Sequence, residues 1–180
     1  MKKSVLMLLL CASGVSFQAA ATDSAMKKDY DAANDRASAD YQAARKACDG
    51  QGGNRKAICI EEAKAQQVRV KSDARAAYID TPKARVNARK AVADADFDVA
   101  REKCKILSGN ARDVCVTQAK STHVATIADA NADRKVTAAR TEANQEKRTA
   151  AFQVEREKCD AMHGTEKSTC IDLAKAKYGK

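Results

Sequence analysis

The chain has no tryptophan, one proline, two histidines and only 4% aromatic residues. Each scarcity excludes something. Aromatic residues do not interleave with the basic ones, so stacking platforms for nucleic-acid bases are missing and specific nucleic-acid binding is disfavoured. His123 and His163 stand outside any recognisable triad or zinc-ligand spacing. A single proline, Pro82, leaves long stretches in which nothing interrupts a helix. Beyond residue 21 only two leucines remain, Leu107 and Leu173, which puts a large apolar core out of reach. Strand patterning is essentially absent. What fills the space is alanine, about a fifth of the chain. Alanine is the best helix former because it loses no side-chain entropy. The composition therefore predicts an all-α protein of long helices with thin, closely packed seams, held by something besides burial.

The first 21 residues read as a secretory signal peptide. Lys2 and Lys3 form a basic start, Ser4 to Leu10 begins an apolar run, and Ala19, Ala20 and Ala21 supply the small residues a signal peptidase reads. Cleavage is expected after Ala21. Cys11 follows Leu10, where a lipobox asks for a small residue, so lipidation is not expected. No other stretch approaches the ~20 apolar residues of a membrane helix. The mature chain is expected in the periplasm or outside the cell, with no transmembrane segment. Removing the leader takes two lysines and one cysteine. The net charge falls from +9 to +7 and six cysteines remain. An even count in an exported chain reads as a disulfide framework.

Those six cysteines fall in pairs, 48 and 59, 104 and 115, 159 and 170, each separated by 11 residues, and the first members lie 56 and 55 apart. Their neighbours recur as well. An aromatic stands seven before the first cysteine (Tyr41, Phe97, Phe152) and an arginine three before it (Arg45, Arg101, Arg156). A glycine follows five after it (Gly53, Gly109, Gly164), then Asn54, Asn110 or Thr165. Such regularity is an internal repeat. The glycine reads as a left-handed helix terminator and the next residue as a cap for the following helix. Each unit is then a helix, a tight turn and an antiparallel helix, with bridges Cys48–Cys59, Cys104–Cys115 and Cys159–Cys170 stapling the neck. The aromatic should pack beneath the bridge. On the chain-entropy model a loop of about a dozen residues contributes roughly 3 kcal/mol. No Cys-x-x-Cys occurs, which argues against redox chemistry of the thioredoxin kind, and no metal ligands or cofactors are expected.

This places a leader at 1–21, hairpin repeats at 22–80 and 81–136, and a truncated third at 137–180, about 55 residues per full unit. Thr81 and Pro82 restart a helix as cap and first-turn proline. From Asn110 to Met162 there is neither glycine nor proline, so this is one helix of about 50 residues or two broken near Val136 and Thr137. An elongated antiparallel array is preferred over a compact bundle.

No arrangement of carboxylates, hydroxyls or glycines matches an active site, and no enzymatic activity is expected. Charge concentrates at the turns. Arg45, Lys46, Arg55 and Lys56 outnumber Asp49 at the first; Arg101, Lys103, Lys105 and Arg112 outnumber Glu102 at the second; the third is balanced. These eight cations are the candidate site for an anionic partner.

Two resemblances add to this. KVTAARTEANQEKRTAAFQVEREK (135–158) is similar in composition to the middle region of TolA-type cell-envelope proteins, whose membrane anchor and globular C-terminal domain have no counterpart within these 180 residues. SGNARDVC (108–115) resembles the turn of periplasmic PsiF-repeat proteins, in which the cysteines stand further apart. Both imply a helical protein of the envelope. The expected role is a structural or protein-interaction element contacting an envelope protein. The alternative is a stress-related binding or holdase protein whose basic tips contact lipid headgroups or lipopolysaccharide. A metal- or redox-active cysteine protein is the third reading.

Overall fold

The computed structural model describes residues 17–179, with side chains from Asp23 onward. The leader's charged start, its apolar run and Cys11 lie outside the described residues. Five α-helices are present among them and no strand: α1 Phe17–Ala47, α2 Gly53–Ile79, α3 Pro82–Cys104, α4 Gly109–Cys159 and α5 Gly164–Tyr178. None is long and apolar enough to cross a membrane. The stretch without glycine or proline forms one helix: α4 runs 51 residues without a break at Val136 and Thr137.

The chain divides into two compact units, one ending at Lys120 and the other beginning at Ser121. In the first, α2 packs against both α1 and α3. Cys48 bonds to Cys59 at one end of the α1–α2 pair, and Tyr30 stacks on Tyr78 at the other, ring centres 5.1 Å apart. The positions step in opposite directions, so the two helices are antiparallel. Between α2 and α3, Lys103 meets Glu62 at 2.6 Å and Arg69 meets Asp96 at 2.9 Å, again in antiparallel register. Thr81 turns the chain between them: its Oγ1 accepts the Ala84 N–H at 3.1 Å, and Pro82 occupies the first turn, where no N–H is required. Just before it, Asp80 ends α2 in the left-handed conformation, φ 44°, and donates its N–H to the Ala76 carbonyl.

In the second unit Cys159–Cys170 joins α4 to α5, and the Arg148 guanidinium donates to the Tyr178 carbonyl at 2.7 Å. That contact satisfies a free carbonyl at the end of α5 and places a cation at the negative end of its dipole.

The interior matches the composition. Among the described residues, those buried are nine alanines, Val86 and the first cysteine of each bridge, and none is polar. The largest fully buried side chains are Cys48, Cys104 and Cys159. Small side chains let helix backbones approach closely but release little apolar area, so the bridges carry a large share of the stability.

The turns differ from the sequence reading in one respect. Gly53, Gly109 and Gly164 all have positive φ, 53–55°, but each is the first residue of the following helix and not the terminator of the preceding one. The N-caps of α2 and α5 are therefore Gly52 and His163, and neither helix has a side-chain cap. Asn54 and Thr165 already lie inside the helices. The extended backbone at Gly52 and His163 brings the chain round, and only glycine enters a helix from the left-handed region at low cost.

Candidate functional site

The three turns share one backbone. In each, the first cysteine's carbonyl accepts the N–H three residues on: Gln51 to Cys48 at 3.0 Å, Leu107 to Cys104 at 3.1 Å, Met162 to Cys159 at 3.0 Å. Each then closes with a disulfide across Cα atoms 5.7 Å apart. With the frame constant, the side chains on it can be compared position by position.

The residue after the first cysteine faces the residue three after the glycine. In the first turn these are Asp49 and Lys56, paired at 2.9 Å. In the third they are Asp160 and Lys167, paired at 2.8 Å. The hydrogen bond from the lysine, then its charge, holds each aspartate below its ordinary pKa, and Arg45 and Arg156 add to the effect. In the second turn the same two positions are Lys105 and Arg112, both cations. Lys105 turns back to Glu102 at 2.5 Å. Arg112 is exposed and has no ion-pair partner among the described residues.

The eight sequence candidates are thus not equivalent. Lys56 is bound to Asp49, Lys103 to Glu62, and Arg101 lies 3.7 Å from Asp98 and 5.5 Å over the Phe97 ring. Arg45, Lys46 and Arg55 are exposed on the first turn, where Asp49 partly offsets them. The structure brings Arg101, Lys103, Lys105 and Arg112 to the second turn and its flanks. The aromatics seven before each first cysteine, Tyr41, Phe97 and Phe152, are half-buried.

Side chains that charge counting passed over also stand there. Ile106 is 63% exposed, Leu107 40% and Val114 59%. The first turn has Gly50, Gln51 and the half-buried Ile58 at those positions; the third has Ala161, Met162 and Thr169. Two large aliphatic residues inside a tight turn were the signal available in the sequence.

A second surface feature is an open groove of about 650 Å³ between α4 and α5, lined in part by Glu155, Met162, Thr169, Leu173 and Lys177. Leu173 is 67% exposed over it. Among the described residues no three histidine, cysteine or acidic side chains converge as metal ligands.

Compared with protein-family models, curated proteins and solved structures, the chain matches none.

Proposed function

We propose that this is a non-enzymatic exported protein of three stapled helical-hairpin repeats, acting as a structural or protein-interaction element of the cell envelope. Three disulfides fit an oxidising compartment such as the periplasm. One observation carries the interaction role. The chain is starved of large apolar side chains, yet among the described residues Val86 is the single large aliphatic one buried, while Ile106, Val114, Val124, Val136, Val154 and Leu173 are exposed. A lone exposed leucine needs no explanation. An inverted ratio does, because stability alone would turn these residues inward; it supports a surface kept for partners.

The test is photo-crosslinking in living cells, with a photoreactive residue at Val124, Val154 or Leu173 and at the exposed Ala138 as control. Discrete adducts in the osmotic-shock fraction from the first three positions and not the fourth are expected. Monomer alone at every position, or protein retained in the cytosol with reduced thiols, overturns the reading.

A second reading is favoured by Lys105 and Arg112, two cations where the other turns pair a cation with an acid. It is a stress-related binding or holdase protein that contacts anionic partners through its basic turns. Such binding weakens as salt screens the charges, over a Debye length of about 10 Å at 0.1 M.

A further inference from the structure

We infer that the second turn alone is a docking point for an anionic phospholipid bilayer, with Ile106 and Leu107 entering the headgroup region and Lys105 and Arg112 meeting the lipid phosphates. This rests on the second reading above and narrows it to one turn and one partner.

On one shared backbone, two turns close an acid–base pair and the third replaces the acid with Lys105. The same turn has Ile106 and Leu107 where the first has Gly50 and Gln51; the third has Ala161 and a Met162 exposed to the same 40% as Leu107, so Ile106 at 63% and Val114 at 59% are what set the second turn apart. Arg112 has no carboxylate partner among the described residues, and Lys105 is held only by the flanking Glu102 and not by an acid across the turn; exposed apolar side chains beside such cations complement a surface that is anionic outside and apolar a few ångströms deeper. A phosphate polymer would use the cations but offer nothing to two aliphatic side chains.

The turn is also built to leave water. The N–H groups of Lys105, Ile106 and Leu107 donate to the carbonyls of Glu102, Lys103 and Cys104 at 3.1, 3.4 and 3.1 Å. Those three donors are satisfied before contact, which lowers the cost of bringing irregular backbone into the headgroup region. The Cys104–Cys115 bridge fixes the loop, so little ordering remains to be done on binding.

The experiment is co-flotation of the exported, oxidised protein with phosphatidylglycerol–phosphatidylethanolamine vesicles and with phosphatidylcholine vesicles. Binding is expected to the first at low salt and not to the second. Lys105→Asp supplies the acid the sister turns carry, so it should fold normally, which circular dichroism and an intact bridge verify. Its binding should fall roughly tenfold or more. The double variant Ile106→Ser/Leu107→Ser should weaken binding without altering its salt slope. Lys46→Asp makes the same charge change on the first turn, and its loss of binding should be several-fold smaller than that of Lys105→Asp. Equal loss for Lys46→Asp and Lys105→Asp overturns the assignment to the second turn while leaving the broader anionic reading standing. No binding by the unaltered protein at low salt overturns both.

Discussion

Asp49 and Asp160 occupy one position in two of the turns, and each accepts from a lysine across the turn. Because the partner cation favours the charged form, the folded pKa lies below the unfolded one. The stabilisation from each pair is then present above the unfolded aspartate value and lost as pH falls through the depressed folded value. An NMR carboxyl titration should place the Asp49 midpoint below the ordinary value of about 3.9. Lys56→Gln should return it toward that value. A midpoint that does not move in the variant would show that the pair does not form in solution. The second turn has no such titration, because Lys105 stands where the acid would be.

At the scale of the helices, stability depends on seams of alanine. Ala65 and Ala76 in α2 are buried, as are Ala84, Ala88, Ala93 and Ala95 in α3. A seam of this kind has no spare volume. Ala88→Leu should force the helices apart and cost about 1–3 kcal/mol. Ala138→Leu, on an exposed part of α4, should change stability by less than about 0.5 kcal/mol. Urea titrations of the two variants test this, and equal effects would show that α3 is not tightly packed. The same contrast explains a gap in the sequence reading. Alanine at 88 and at 138 is the same letter in the same helical context, and nothing local says which one a neighbouring helix covers.

For the molecule as a whole, the bridges are expected to decide whether the helices stay folded. Each closes a loop of about a dozen residues and contributes roughly 3 kcal/mol, against total stabilities of about 5–15 kcal/mol for ordinary domains. Reduction of all three should lower the thermal midpoint sharply and remove much of the helical circular dichroism. A variant carrying Cys104→Ser and Cys115→Ser should lie between. Superimposable melts before and after reduction would mean that the alanine seams suffice.

The sequence by itself determined the helical class, the absence of strands among the described residues and the restart of the chain at Thr81 and Pro82, because these depend on local propensity and on one missing N–H. It located the three turns through cysteines and glycines at fixed offsets, since only glycine takes a positive φ at low cost. It left open whether residues 110–162 form one helix or two, and it misplaced the turn glycines, reading Gly53, Gly109 and Gly164 as ends of helices when they are beginnings. Cap position depends on how the backbone returns after the turn, which composition does not encode. Charge counting marked two basic turns as alike. Tertiary structure separated them, because the pairing of Asp49 with Lys56 arises only when a turn brings residues seven apart into contact, while Lys105, with a cation at the matching position, pairs back along its own helix end with Glu102. Exposure of Ile106, Leu107 and Leu173 was likewise decided by packing, since an apolar side chain is buried only where another helix comes to meet it.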